Sequence, residues 1–402
     1  MFATRENLYY VGSVPEAKYW TSGKIPEQYK NVNTFDFKEV CLHYQTLDCV
    51  SLYLIWKKYY KVLHDITGLS IYYFISAPSL SYEYVFSNSP VAVEYVKNKG
   101  INKFIRTSYQ GGRTFCQKPT FKSKQYDLLQ GFEQMNQEER KNVYDQITDY
   151  LTDFDAVSLY PSAMYLFEYP VGAPVWVEDL DTLRKSLMNL SYKKHCILEF
   201  DAHFPDKKII TPLLSTRGET LVYTLNDNHY IKTSVDVMES VKYNHMEIKK
   251  IYRALEWTEK APIFKDTIRK LFDGRIQAKK DKNDALQFAL KTIMCSSYGK
   301  AGQRVITDKT EFVNISDIGM AKLDKMFMEG KVKEHNVSNN FKQILVRSQL
   351  DEEYVQINKP SHLASFILAY SKVIMNNVST ALLSCMQLHG WVLLPLDAVR
   401  RM

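Results

Sequence analysis

No stretch of this 402-residue chain approaches the roughly 20 uninterrupted apolar residues of a membrane-spanning helix, and the opening MFATRENLYY lacks the apolar core of a signal peptide. Neither a helical membrane protein nor a secreted one is expected. The expectation is a soluble intracellular protein, in cytoplasm or organelle, with no membrane partner. The six cysteines (Cys41, Cys49, Cys116, Cys196, Cys295, Cys385) show no Cys-x-x-Cys spacing and no pairing with closely spaced histidines. That argues against both a zinc site and a disulfide framework. Acidic residues are the minority charge, 45 against 52 basic ones, and the net charge of +7 suits a nucleic-acid or nucleotide partner without requiring one. What the chain does have is tyrosine, 28 residues of it, which serves equally for stacking on bases and for half-buried packing. Its 45% hydrophobic content is enough for a substantial core in two or three domains.

Residues 151–165, LTDFDAVSLYPSAMY, are the most informative segment. An apolar strand-like run delivers Asp155 immediately before a turn at Ser158, Tyr160 and Pro161, and a helix can begin after it. A carboxylate at a strand end beside exposed amide N–H groups suits a divalent cation and a polyphosphate, although a lone Asp on a strand is more often a structural or solvated residue.

Upstream, helical spacing from about Asp36 to His64 places Val40, Leu47, Val50, Leu54, Tyr60 and Leu63 along one helix, with Tyr44 and Asp48 four apart on one face. Short helices and loops follow to about residue 108. Ser108-Tyr109-Gln110-Gly111-Gly112-Arg113 then offers paired glycines for positive φ or close backbone approach, a ring for stacking and a charge; an ordinary turn reads the same way. Strand-like alternation at CILEF, KIITPLL, LVYTL and HYIKT fills residues 190–235, and a short helix is expected over Val237–Tyr243 after the Thr233–Asp236 start. From Ala261 to Ala301 two helical patterns, broken at Lys280–Asp284 with Asn283 or Asp284 as cap, predict an antiparallel hairpin. Its second helix carries Lys291, Cys295 and Tyr298 on one stripe, and Gly299 is expected to end it. Residues 304–360 lack clear period. Residues 361–388 predict an amphipathic helix burying Leu363, Phe366, Ile367, Tyr370, Ile374, Val378 and Leu382, and it leads to Trp391–Val399 with Asp397.

Four of these words resemble, in order, the motifs of family B DNA polymerases, most closely the protein-primed branch of bacteriophages, adenovirus-like elements and linear plasmids: Tyr44-x-x-x-Asp48, Tyr109-Gln110-Gly111-Gly112, Asp155-x-x-Ser158-Leu159-Tyr160-Pro161-Ser162, and Lys291-x-x-x-Cys295-Ser296-x-Tyr298-Gly299. The last departs from the usual Lys-x-x-x-Asn-Ser-x-Tyr-Gly by having Cys295, a weak hydrogen-bonding partner where an amide is usual. The resemblance covers residues 25–397 and implies an α+β fold: a right-hand palm of antiparallel sheet with helices, helical-hairpin fingers, and a preceding remnant of a ribonuclease H-like exonuclease domain. The implied divisions are 1–108 for the partial exonuclease-like domain and linker, 109–260 for the first palm part, 261–303 for the fingers, and 304–402 for the second palm part. That second part holds an insertion and is expected to stop short of a thumb.

The resemblance also implies roles. Asp155 and Asp397, with the backbone carbonyl of Ala156, hold two Mg²⁺ ions, for which Mn²⁺ can substitute; Lys291 acts with the two aspartates in catalysis. Ser158, Leu159, Tyr160, Lys279, Lys291 and Tyr298 hold the nucleotide, Arg275 is a second contributor, and Tyr160 excludes a ribose 2′-hydroxyl. Tyr109, Gly111, Gly112, Arg113, Ser296 and Gly299 contact DNA. Tyr44 and Asp48 are what is left of a proofreading site whose other carboxylates have no room upstream, so proofreading is expected to be absent. The implied activity is template-directed addition of deoxynucleotides to a primer 3′-hydroxyl by two-metal phosphoryl transfer, on a DNA template, with a nucleic-acid or terminal-protein primer. A catalytically inactive DNA-binding remnant is the alternative.

Overall fold

A computed structural model describes residues 8–20, 22–112, 125–146, 156–207, 211–217, 221–337, 343–350, 355 and 357–389. The chain divides into two compact units, one of residues Met1–Ile75 with Ala278–Ala289, the other of Ser76–Gln277 with Leu290–Met402. In chain order the elements are β1 (Val11–Gly12), β2 (Phe35–Asp36), α1 (Phe37–Thr67), α2 (Ala77–Ser87), α3 (Lys99–Thr107), α4 (Gln137–Gln146), α5 (Leu159–Leu166), β3 (Tyr169–Val171), β4 (Val175–Trp176) and α6 (Leu180–Met188). There follow β5 (His195–His203), β6 (Ser215–Arg217), β7 (Leu221–Tyr223), β8 (Asn228–Thr233), α7 (Ser234–Asn244), β9 (Glu247–Trp257), β10 (Glu259–Ala261), α8 (Lys265–Lys280), α9 (Asp284–Ala301), β11 (Asp308–Asn314), α10 (Asp317–Met328), β12 (Val332–Val337), β13 (Gln343–Gln349) and α11 (Ser361–His389). The fold is α+β, with every strand pair among the described residues antiparallel. No helix among the described residues is long and apolar enough to cross a membrane.

In the first unit α1 begins where expected. Asp36 caps it by accepting the Glu39 amide at 3.1 Å, and Gly68, at φ 70°, ends it in the left-handed region that glycine enters without strain. The expected apolar stripe, however, is not buried: among the residues of α1 only Leu63 is, while Leu47, Val50 and Leu54 stand at least half exposed. The apolar residues of α1 lie all round the helix (Leu42, Leu52, Ile55 and Trp56 among them), so no single face gathers them.

The second unit is organised by a four-stranded sheet in the order β4-β9-β5-β8. Alternation along β5 sends Cys196, Leu198, Phe200 and Ala202 into a core with Leu183 and Leu187 of α6 and Val237 of α7. The other face ends in charge, with His229 held between Glu199 and Asp201 at 2.9 and 2.8 Å. The 11-residue β9, one of the two inner strands, went unread in the sequence. Two register shifts against β5 interrupt its alternation, which hides the period-two signal.

One expectation for this unit needs correction. KIITPLL is not a strand over residues 211–214, its described part. Pro212 has no amide to give, and the amide and carbonyl of Leu213 are taken by the side chains of Asn244 (2.9 Å) and Gln110 (2.7 Å) instead of a neighbouring strand. Residues 304–360, which lack a clear period, hold a small sheet in the order β11-β13-β12 with α10 packed on it through Leu323, Met326, Val313, Ile344 and Val346.

Helix α11 ties the larger sheet to α5. Tyr370 stacks on Phe167, at the C-terminal end of α5, with centroids 4.1 Å apart at 9°, and its hydroxyl meets His195 Nε2 at 2.7 Å. Beside it His362, fully buried, stacks on Trp257. Leu363, Phe366 and Ile367 are buried as expected; Val378 is 43% exposed instead.

Candidate active site

The turn before α5 is sharp because Ser158 sits in the left-handed region at φ 54° and ψ 43°, costly for a residue with a Cβ. Arg275 of α8 holds it there, donating from Nη1 to Ser158 Oγ at 3.0 Å. Two residues further on, Tyr160 stacks on Tyr298 of α9 with centroids 4.5 Å apart at 27°. Such a pair is worth about 0.5–1.5 kcal/mol beyond the area it buries. Burial raises the Tyr160 phenol above its ordinary range, opposed by a hydrogen bond with the Gly112 backbone; burial likewise raises Tyr298, with Tyr160 and Cys295 adding to it.

Helices α8 and α9 form the expected antiparallel hairpin. Asn283 caps α9 by accepting the Leu286 amide at 3.1 Å, and a Cβ on Gly274 would already touch Leu290, the two lying symmetrically about the hairpin turn. On α9 Lys291, Cys295 and Tyr298 share one stripe, and Tyr298 carries it to Tyr160 beside the Ser158 turn. Burial raises the Cys295 thiol while Lys291 and Arg275 pull it down, so both cations lie within electrostatic reach of one sulfur. Thus Ser158, Tyr160, Arg275, Lys291, Cys295 and Tyr298, drawn from α8, α9 and the start of α5, converge. A half-buried turn, two cations and two rings can receive an anion carrying a flat group.

The glycine loop reaches the same place. A Cβ on Gly112 would lie 3.3 Å from the Tyr160 hydroxyl. Neither Gly111 nor Gly112 takes positive φ, and the close approach is to Tyr160. Tyr109 donates its hydroxyl to the Ser361 carbonyl at 2.7 Å, and the Arg106 guanidinium lies over its ring at 5.1 Å, so one stacking face is occupied within the protein. Gly111's carbonyl accepts the Tyr223 hydroxyl at 2.7 Å.

Beneath the loop lies a buried charge network that the sequence reading missed. Lys372 of α11 donates to the Gln110 carbonyl at 2.9 Å and pairs with Asp236 at 3.2 Å; Lys232 shares that carboxylate's field and is lowered to about 8, chiefly by burial. Lys232, Asp236 and Lys372 are 5%, 4% and 7% exposed, which places two cations and one anion in the interior. A signal existed: Lys372 is the only Lys, Arg, Asp or Glu between Ser361 and His389.

Gly299 does not end α9. The helix runs to Ala301, and the carbonyls just past its end, of Gly302 and Gln303, accept from Arg106 at 3.0 and 2.9 Å, which sets a guanidinium on a helix C-terminus. Gly299 has open space around it, and Ser296 turns its hydroxyl onto the Thr292 carbonyl beside Ser81 of α2. Leu159 and Ala156 are half-buried, and Lys279 is exposed on the last turn of α8. Tyr44 and Asp48 are exposed on α1. Asp155, Arg113 and Asp397 lie outside the described residues, as does the strand expected to carry Asp155. No group of three His, Cys, Asp or Glu suited to a metal ion occurs among the described residues.

Comparison with known proteins agrees on the family. A probable DNA polymerase of Ascobolus immersus is 23% identical over 386 residues, 91% of this chain and 28% of that protein. A probable DNA polymerase of Neurospora intermedia is 22% identical over 397 residues, 92% of this chain and 36% of that one. The chain therefore spans about a third of the length of these curated relatives. Among solved structures, Phi29 DNA polymerase in an orthorhombic crystal form aligns with a TM-score of 0.48 and 16% identity over 81% of this chain and 49% of that one. The profile of the family described as "DNA polymerase type B, organellar and viral" matches residues 6–128 and 137–382, nearly the whole sequence, and the chain belongs to that family.

Proposed function

We propose that the cluster around Tyr160 and Tyr298 binds an incoming deoxynucleoside triphosphate for template-directed addition to a primer 3′-hydroxyl. The carrying observation is the convergence itself: the 4.5 Å stack of Tyr160 on Tyr298, with the Arg275 to Ser158 hydrogen bond, joins two sequence words that lie more than a hundred residues apart. In this reading Arg275 and Lys291 neutralise the triphosphate, with Ser158 and Leu159 offering the backbone of the turn. Tyr160 lies beneath the sugar, where its ring leaves no volume for a 2′-hydroxyl, and Tyr298 flanks the base. Tyr109, Gly111, Gly112, Arg113, Ser296 and Gly299 follow the template and primer strands.

Asp155, the Ala156 carbonyl and Asp397 are the oxygen donors that would hold Mg²⁺ or Mn²⁺. Hard oxygens fit a hard cation, and the Ser158 turn that begins three residues after Asp155 has the Arg275 guanidinium on it. Two such ions, when bound, would supply charge stabilisation for in-line displacement. The four-stranded sheet corresponds to a palm, the α8–α9 hairpin to fingers, and the β11–β13 segment to an insertion. Tyr44 and Asp48 stand as a residue of a proofreading site without hydrolytic activity. A terminal protein or a nucleic acid supplies the primer hydroxyl, and the chain acts inside a cell or organelle on replicating DNA.

Extension of a labelled primer–template by the chain, with Mg²⁺ or Mn²⁺, tests this against Asp155→Asn. Extension that the substitution abolishes is the expected result. Equal DNA retention with extension by neither protein would identify an inactive DNA-binding remnant and overturn the reading.

A further inference from the structure

Away from the tyrosine stack, Arg106, Arg304 and Lys359 line a cavity of about 290 Å³ with the amide side chains of Asn102, Gln303 and Asn358. It lies among α3, the end of α9 and the start of α11, with residues 357–359 closing one side. No carboxylate among the described residues lines it. Arg106 gives two of its N–H groups to the Gly302 and Gln303 carbonyls at the end of α9, and Lys359 donates to Gln303 Oε1 at 2.9 Å, so among the described residues their hydrogen-bond partners are neutral oxygens and not carboxylates. Lys359 is lowered by burial and by the nearby Lys300, a like-charge approach that the fold maintains at a cost. A bound anion would relieve it.

The volume is roughly ten times a water's share of the liquid, ample for a phosphate group. No aromatic side chain among the described residues lines the cavity, so none of them would stack there on the base of a free nucleotide; Val305, Ile306 and Ile357 provide aliphatic flanks. Charge and amide donors without a base platform are what a sugar–phosphate backbone needs.

We propose that this cavity is a phosphodiester subsite for a DNA strand, separate from the nucleotide cluster. It rests on the polymerase reading only for its choice of DNA as the polyanion.

The test is fluorescence anisotropy of a labelled single-stranded oligonucleotide with the full chain, without nucleotide, over a series of salt concentrations. Arg304→Gln with Lys359→Gln should weaken binding several-fold and flatten the plot of log K against log salt by about 1.4, since each phosphate that a cation ceases to neutralise on a single strand removes about 0.7. Asn358→Lys, at an exposed position, should steepen it by about 0.7. Unchanged slopes in both variants overturn the subsite. So does a result in which the double substitution alters competition by inorganic tripolyphosphate while DNA binding stays put, since the cavity would then take a free polyphosphate. Because binding is read without catalysis, loss of primer extension in the unsubstituted chain sinks the polymerase reading and leaves these slopes to be judged independently.

Discussion

The two larger sheets of the second unit are both antiparallel, yet they are held by different forces. The four-stranded sheet buries an extensive apolar cluster against α6 and α7, and the buried Asp236 beside it pairs with Lys372. The three-stranded sheet and α10 bury five apolar residues together and surround them with exposed ion pairs, Asp308 with Lys333 and Arg347, and Glu311 with Lys309 and Lys322. Burial gains on the order of 25 cal/mol for each Å² of apolar surface, whereas an exposed ion pair contributes about 0–1 kcal/mol. With its smaller apolar cluster, the small sheet is expected to open locally at lower cost.

The largest test of that contrast removes one ring. Phe200 is fully buried at the centre of the larger core, and Phe200→Ala should cost about 3–5 kcal/mol, lowering the midpoint of global denaturation. Val346→Ala, equally buried in β13, should instead accelerate amide exchange in β11, β12 and β13 while exchange in β5 and β9 keeps its rate. Equal acceleration in both sheets would show that they unfold as one unit and erase the distinction.

Acid should separate the two regions next. Burial holds His195 down at about 4 and His362 at about 3, against an ordinary 6.5, so both are neutral in the folded protein while their unfolded counterparts take up protons. Between pH 6.5 and about 4 the unfolded chain therefore binds more protons, and stability falls with falling pH by up to about 1.4 kcal/mol per unit for each histidine. This loss belongs to the larger body, where His195 meets Tyr370 and His362 meets Trp257. Global denaturation midpoints at pH 7 and 5 should differ accordingly, and replacing His362 by Gln should reduce the difference by about half. A flat profile would mean that solvent reaches these rings.

Much of this was legible in sequence. Asp36, Asn283 and Thr233 cap helices where their side chains announced it, and α11 follows its apolar period. The convergence of Ser158, Tyr160, Arg275, Lys291 and Tyr298 followed from matched words and helical spacing. What escaped were features made by long-range partners. Leu213 is not in a strand because Gln110 and Asn244, distant in sequence, satisfy its backbone. Gly299 does not stop α9 because Arg106 caps the carbonyls beyond it. The strand β9 shifts register twice, and the polar 304–360 segment hid a sheet whose core needs only five side chains. In each case the deciding partner lay outside the local window.

The smallest expected effect is at Asp308. Its carboxyl is held below the usual 3.8 by hydrogen bonds from Lys333 first, then Arg347 and Thr307. A carboxylate lowered on folding contributes stability above its unfolded value and loses it as pH falls through the folded one, so this contribution is complete at about pH 5 and is lost progressively below about pH 4. That window lies beneath the histidine window, so lowering pH from 7 to 5 should weaken the larger body and leave amide exchange from the β11–β13 ladder, corrected for the intrinsic pH effect, unchanged. Asp308→Asn should accelerate exchange in β12 slightly at low ionic strength, and 1 M salt, where the Debye length is about 3 Å, should remove most of the difference. Should Asp308→Asn accelerate exchange as much as Val346→Ala does, and in high salt too, the small sheet would be held by its charges and not by its five apolar side chains. The contrast between the two sheets would then rest on core size alone, and the argument that exposed pairs contribute little would fail here.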